Sequence, residues 1–491
     1  MPQAESRRVR EALIAKLRDI LPRQFVLTET EQLRPYECDG LTAYRQLPWI
    51  VVLPSNSEEV EKILALCTAC GVPVVARGAG TGLSGGALPH PHGVLLSMTR
   101  LDRILSVDRA NRTARVQPGV RNIAISEEVE GMGLYYAPDP SSQIACSIGG
   151  NVAENSGGVH CLKYGLTVHN ILKLEVVLMS GESVTIGADA LDMPGYDLLA
   201  LMTGSEGMLG VVTEVTVRLL PKPAVARVIL AAFDDLAVAG NAVAAIIGAG
   251  IIPGGLEMMD NPAIRAVEDF VHAGYPRDAA ALLLCELDGT ESEVEAGIRV
   301  VTRILELQGA TEIRVATDEA ERQRFWSGRK NAFPAVGRIS PDYYCIDGTI
   351  PKKRLGEVLT GISKLSNEYD LRVANVFHAG DGNLHPLILY DGSQPGEFER
   401  TEALGGKILE LCIAVGGTIT GEHGVGVEKL NQMCVQFEAP ELDQFHAIKK
   451  AFDPAALLNP GKAVPTLSRC AEFNAMHVHK GRLPFPELPR F

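Results

Sequence analysis

The chain has 491 residues, 46% hydrophobic and 22% charged, with 49 glycines and a formal net charge of -14. At roughly 100–200 residues per domain this makes two to four domains with ample length for real cores. The acidic balance argues against a nucleic-acid or anionic-membrane binder, yet leaves room for a small anionic substrate gripped by a few local cations.

The N-terminus, MPQAESRRVREALIAKLRDI, reads as a charged amphipathic helix without an apolar signal core. Residues 50–55 (IVVLPS) read as a buried strand. The following NSEEVEKILALCTACG has Asn56 or Ser57 as N-cap, Val60, Ile63, Leu64 and Cys67 at helical spacing, and Gly71 where a C-terminal cap belongs. VPVVARG (72–78), GVLLSM and ARVQPG are further strands, so the opening is βαβ in character. KLEVVLMSGESVTI (173–186) is two strands joined at Ser180-Gly181-Glu182. Residues 208–220 are strand-like, and Pro221 and Pro223 place a boundary near 222. Leu236 to Leu256 carries no formal charge, but its glycines and Pro253 favour a buried helix and loop over a membrane span. Residues 225–420 alternate strands and helices. Leu442, Phe445, Ile448 and Phe452 then mark a helix stripe, and beyond 463 the chain turns irregular. The ten cysteines are scattered, and the single CxxC, Cys67 and Cys70, falls in a helical pattern. Buried thiols and a reducing, cytoplasmic compartment are expected.

Residues 76–87, ARGAGTGLSGGA, match GxGxxG at Gly80, Gly82 and Gly85, with Asp102 downstream. A Rossmann site needs a helix to start inside that motif so that its N-terminus meets the pyrophosphate. Here Gly85-Gly86-Ala87-Leu88-Pro89-His90-Pro91 forbids one. The loop can still hold phosphate, because its backbone N–H groups form an anion nest and Thr81 and Ser84 add hydroxyls. A second glycine-rich stretch, 137–165, and a third, 204–214, suggest a large flat ligand laid along the backbone.

The order PSNSEEV, RGAGTGLSGG, PDP, SIGGNVAENSGG, GSEGMLGV resembles the FAD-binding domain of the vanillyl-alcohol oxidase flavoprotein family over about residues 20–465. It is most similar to the branch of glycolate oxidase D-subunits and D-lactate dehydrogenases. The resemblance implies an α+β fold with a two-subdomain FAD-binding domain of the vanillyl-alcohol oxidase type at 1–222. It also implies an α/β cap (substrate and metal-binding) domain with an antiparallel sheet at 223–425 and a C-terminal helical segment returning to the flavin at 426–465. By resemblance, Arg77, Gly78, Ala79, Gly80, Thr81, Gly82, Ser84, Gly85 and Gly86 cradle the pyrophosphate. Pro138, Asp139, Pro140, Ser141, Ser147, Gly149, Gly150, Asn155, Gly157, Gly158, Tyr164 and Gly165 line the rest of the flavin nucleotide. Glu206, Gly210, Val211 and Val212 join them, and Asn459 of LNPGK returns to the flavin. Many members attach FAD through a histidine in the glycine loop. Thr81 stands in that neighbourhood, so the FAD is expected to be non-covalent.

LRVANVFHAGDGNLHPLILY (371–390) is two β-prone runs flanking Asp381-Gly382, a two-residue hairpin signal that sets His378 opposite His385. Opposed side chains share a face about 4.5–5.5 Å apart, close enough to converge on one metal. GTITGEHGVGVEK brings Glu422 and His423, which on extended chain point to opposite sides, so one can bind metal while the other faces something else. In the resembling family the HxGDGNxH and GEHG segments carry the ligands and base. The resemblance therefore implies His378, His385 and Glu422 as ligands of a divalent metal (zinc foremost, manganese or iron as alternatives) and His423 as catalytic base. Whether Asp381 or Asn383 supports the ligands from behind is left undecided by the resemblance.

RFWSGRKNAFP offers Arg324, Arg329 and Lys330 to a substrate carboxylate, and the family pattern favours Arg329 as catalytic. Tyr343 or Tyr344 is a candidate pocket residue. Leu387 and Phe333 stand where related 2-hydroxyglutarate dehydrogenases place polar residues, which favours a short substrate such as glycolate or D-lactate. The expected reaction is FAD-dependent oxidation of that 2-hydroxy acid to the 2-oxo acid, with hydride to flavin N5. No cysteine cluster suits an iron–sulfur centre. The resemblance implies flavoprotein and iron–sulfur partner subunits carrying electrons toward quinone, and through them a peripheral place at the inner membrane. The tail 466–491, with His477 and His479, is a candidate docking segment. Two rival readings are an alkyl-transferring or reductase flavoenzyme, and a non-catalytic FAD relay or assembly subunit.

Overall fold

The computed structural model describes residues 3–190, 194–466 and 469–470. The chain forms two compact units. One comprises the residues up to Ser156, Leu166–Pro221 and those from His423 onward; the other comprises Gly157–Gly165 and Lys222–Glu422. The tail proposed for docking, with His477 and His479, lies outside the described residues.

The first unit contains two sheets. In the smaller, Ile50–Val52, Val94–Ser97 and Val74–Arg77 run parallel, with Val26–Leu27 antiparallel at one edge. Apart from Arg77 and Ser97 at their ends, these short strands are apolar because both faces are covered. Ile50, Val52, Val74 and Leu96 meet Leu13, Leu17, Val60 and Ile63 of two helices on one face. Val51, Val75 and Leu95 meet Leu33 on the other. The helix Ser57–Cys70 begins where Asn56 accepts the Glu59 N–H and stops at Gly71, whose φ is +63°. The larger sheet is antiparallel, in the order Ile104–Asp108, Thr113–Val116, Val211–Arg218, Ile171–Val177, Ser183–Gly187. Its second core gathers Val116, Leu174, Val215 and Val217 with Ile148 and Val152 of the helix Ile148–Glu154. The helix Ala439–Phe452 leans Ile448 and Phe452 on that core.

The second unit is built on a seven-stranded antiparallel sheet. The order is Glu312–Val315, Val225–Phe233, Ala281–Gly289, Gly255–Asp260, Val373–Phe377, Pro386–Tyr390, Asp342–Cys345. The uncharged stretch forms the helix Leu236–Gly248, capped by Asp235 accepting from Val238 N–H. Among the described residues no helix is long and apolar enough to cross a membrane.

Cys434 and Cys470 are joined as a disulfide. Their sequence separation of 36 gives no hint of this; only the fold brings their Cα atoms to 5.2 Å. Cys67 and Cys70 are thiols, as expected.

Candidate functional site

The glycine segments of the first unit come together. Residues 78–93 contain no helix, so any phosphate here meets loop N–H groups rather than a helix end. Gly80 and Gly85 have φ of +72° and +74°. A Cβ on Gly78 would lie 2.2 Å from Ser147 Oγ, which fixes the close approach of the first glycine stretch to the second. The second meets the third where Val152 and Ala153 carbonyls accept from the N–H groups of Gly204 and Glu206. The C-terminal return closes the set. Asn459 Nδ2 donates to the carbonyls of Gly86 (3.2 Å) and Glu206 (2.7 Å), and Lys462 Nζ donates to Gly86 at 2.8 Å. Glu206 accepts from the N–H groups of Val425 and Gly426, both at 2.7 Å.

The same geometry sorts the individual residues. Ser84 is fully buried and its Oγ accepts from Gly86 N–H, so it braces the loop internally. Arg77 gives Nη1 to the Cys38 carbonyl at 2.6 Å. Val211 packs in one core and Val212 against the other, and Gly210 passes Val176 so closely that a Cβ would sit 2.3 Å from its Cγ1. Pro138 is held through its carbonyl by Asn122. Asn155 adopts the left-handed conformation and accepts from Val168 N–H. Gly157, Gly158, Tyr164 and Gly165 part from the rest of their stretch and belong to the second unit. There the Tyr164 hydroxyl donates to Asp288, which also pairs with Lys163.

Two buried carboxyls of the first unit were partly missed. Burial, followed by Glu206 and Asp39, raises Glu154 well above the usual carboxylate range. Burial also raises Glu206 against the pull of its two N–H donors. Beside them Lys462 is pushed down to about 7, chiefly by burial. Glu154 stands between two glycines: a Cβ on Gly86 or on Gly424 would lie 2.7 or 2.1 Å from its carboxylate oxygens. No spacing signal marked Glu154.

In the second unit the histidine hairpin forms, in a different register. His378 opposes Asn383, and Asn375 opposes Pro386, so the loop is Ala379–Gly382 rather than Asp381-Gly382 alone. His378 and His385 are therefore diagonal rather than directly opposed. A slip of two residues preserves the face, because side chains alternate with period two. The rings still meet, with centroids 5.1 Å apart and planes at 86°. Gly382, at φ +88°, lets the turn pass under Ile350, where a Cβ would lie 2.2 Å from the carbonyl oxygen.

Glu422 completes the group. Its Oε1 lies 3.0 Å from His385 Nε2 and 3.5 Å from His378 Nε2. Donors on a tetrahedral ion with bonds of about 2.0–2.2 Å are spaced about 3.3 Å apart, so the three atoms fit one small divalent cation. Burial raises Glu422, but the two histidines outweigh it and hold its carboxyl well below the usual range. Burial lowers His378, but Glu257 and Glu422 outweigh it and raise it well above the ordinary imidazole value.

Two supports carried no sequence signal. Glu257 is buried and splits its oxygens: Oε1 to His378 Nδ1 at 2.8 Å, Oε2 to Arg329 Nε at 2.7 Å. Asp347 accepts from Thr420 Oγ1 (2.6 Å) and from the N–H groups of Gly421 (3.0 Å) and Glu422 (3.3 Å), which holds the ligand loop. Of the three candidate cations, Arg329 is 2% exposed, while Arg324 and Lys330 face solvent. Phe333 stacks edge-on to His385 and Tyr343, at 6.5 and 6.0 Å. Strand alternation turns Tyr344 the other way, against Phe398. Leu387 is fully buried in the sheet. Burial raises Asp381 to about 6, and its Oδ1 accepts from Asn383 N–H, a turn-stabilising role. His423 is the first residue of the first unit after Glu422 closes the second.

Known proteins share this fold. Residues 48–187 match the family described as FAD binding domain, and residues 222–463 match the FAD linked oxidases, C-terminal domain. The solved p-cresol methylhydroxylase superposes with a TM-score of 0.79 at 19% identity, covering 93% of this chain and 97% of the other. The molecule is thus an FAD-binding flavoprotein with the vanillyl-alcohol oxidase fold. Glycolate oxidase subunit GlcD of Escherichia coli (strain K12) is 68% identical over 98% of this chain and 97% of its own. A D-lactate dehydrogenase of Anaerostipes hadrus is 32% identical over 94% and 99%. The chain belongs to the FAD-linked oxidase family, a family of oxidoreductases.

Proposed function

We propose that this protein oxidises a small 2-hydroxy acid, glycolate or D-lactate, to the 2-oxo acid. The observation that carries the reading is the convergence of His378, His385 and Glu422 in the unit where Glu257 ties the buried Arg329 to His378. When bound, FAD supplies a hydride acceptor, and a divalent cation, zinc foremost, supplies a charge that acidifies the hydroxyl. The remaining tasks fall to this chain's side chains. With Nε engaged by Glu257, the Nη fork of Arg329 is the edge that grips the substrate carboxylate bidentately. His423, next in the chain to Glu422, takes the hydroxyl proton. Phe333 beside His385 supports a short substrate, since it supplies no partner for a second carboxylate.

FAD is held non-covalently by the three glycine stretches and Asn459. The cap comprises 223–425, and 426–465 returns to the flavin. The name "subunit" carried by the relatives supports partner chains; the family resemblance makes them a flavoprotein and an iron–sulfur protein that take the electrons onward, peripheral to the inner membrane.

The test is the visible spectrum of the purified chain titrated anaerobically with glycolate and with D-lactate. Bleaching of the long-wavelength flavin band is expected, and the substrate with the lower half-saturation sets the side-chain preference. A yellow protein that neither acid bleaches, with zinc or manganese added, overturns the reading in favour of an electron-relay subunit.

A further inference from the structure

Glu257 lies outside every motif, yet it joins two functional groups of the second unit. Its side chain is 1% exposed, and those of Arg329 and His378 are 3% and 4% exposed, so none of the three exchanges partners with water. The strand Gly255–Asp260 carries it on a rigid support, paired on one side with Ala281–Gly289 and on the other with Val373–Phe377, the strand that leads into His378. Its flat carboxylate faces a nitrogen on either side: Oε1 to His378 Nδ1, Oε2 to Arg329 Nε.

We propose that Glu257 is a positioning residue that sets His378 as a metal ligand and the Arg329 fork as a carboxylate grip with one rigid side chain. The inference rests on the metal-assisted reading above. An ionised carboxylate only accepts hydrogen bonds, so the hydrogen of His378 must sit on Nδ1 and Nε2 presents its lone pair toward Glu422 and His385. The other oxygen takes the Nε edge of Arg329 and thereby aims the Nη edge away from Glu257. Metal loading and carboxylate recognition then depend on the same side chain.

An amide separates this role from mere packing. Glu257→Gln keeps the shape but presents one oxygen and one NH2 to two donors. The charged guanidinium holds the oxygen, so the NH2 turns to His378 and forces its ring hydrogen onto Nε2, the ligand atom. The measurement is calorimetric titration of metal-stripped, FAD-loaded full chain with zinc(II), with far-UV circular dichroism and flavin absorbance as folding controls. Glu257→Gln is expected to weaken zinc binding about 10- to 100-fold with both controls unchanged. Glu257→Asp, which keeps two acceptors but retracts them, should fall between Gln and wild type. Zinc affinity in Glu257→Gln within twofold of wild type, even with a lowered melting temperature, overturns the proposal and leaves Glu257 a structural ion pair. Should Glu257→Gln fail to hold FAD, Glu257→Asp decides alone, and wild-type zinc affinity there overturns the proposal. A wild-type chain that binds no zinc, indistinguishable from His378→Ala, sinks the metal reading itself and this inference with it.

Discussion

In the reading proposed above, the two units hold their ligands in opposite ways. The first uses backbone: glycines at positive φ or in close approach, and carbonyls tied by Asn459 and Lys462. The second uses side chains: two imidazoles, a carboxylate and a guanidinium, with Glu257 behind His378 and Arg329 and Asp347 behind the Glu422 loop. A backbone cradle tolerates most side-chain changes but fails when a Cβ is added. A side-chain centre fails when one functional group or its support is lost.

The sharpest way to break that contrast is to remove a ligand. Glu422→Ala is expected to lower 2-hydroxy-acid turnover by at least about 1,000-fold, on the order of 4 kcal/mol of transition-state stabilisation, while FAD stays bound. Steady-state kinetics beside the flavin spectrum checks this; loss of the flavin would show that the two units are not separable.

Next comes a support without a ligand atom. Asp347→Asn keeps the shape but places an NH2 among donors from Thr420, Gly421 and Glu422, so kcat/KM should fall about 10- to 100-fold. A variant with normal kinetics would show that the Glu422 loop holds itself.

In the first unit the matching change adds an atom. A Cβ on Gly149 would lie 2.5 Å from Pro118 Cβ, a ring that cannot swing away. Gly149→Ala should cost about 1–3 kcal/mol of stability and weaken FAD retention, with zinc binding by the second unit unchanged. Thermal melts with and without added FAD, beside a zinc titration, read both effects.

A further expected effect is one of pH. Burial raises Asp260 to about 6 against its hydrogen bonds from Asn375 and Ala263, whereas in an unfolded chain it titrates near 3.8. Between those values the unfolded chain releases a proton that the folded chain keeps, so stability falls as pH rises through that window. The total is on the order of 3 kcal/mol, at about 1.4 kcal/mol per unit. Asp260→Asn should flatten that slope in denaturant titrations at pH 4 and 6; an unchanged slope would place its origin elsewhere.

Much of the first unit was legible in the chain itself. Asn56 and Gly71 bracket a helix, the prolines after Gly86 rule out a Rossmann helix, and three glycine stretches mark a cradle. Each of these is a local constraint on φ, ψ or hydrogen bonding, and local constraints are written in neighbouring residues. The histidine pair was legible for the same reason, since face parity survives a register slip of two even though the turn was misjudged.

The sequence by itself thus determined the fold class, the glycine loops and the identity of the chemical groups. Only the tertiary structure decided which groups share a partner. Glu257 is 121 residues from His378 and 72 from Arg329, and Asp347 lies 75 residues before Glu422. Cys434 finds Cys470, and Gly157–Gly165 leaves its own glycine stretch to join the other unit. Such pairings depend on which strands neighbour one another and which faces are buried. Those are properties of the whole packed core, with no period or spacing along the chain to announce them.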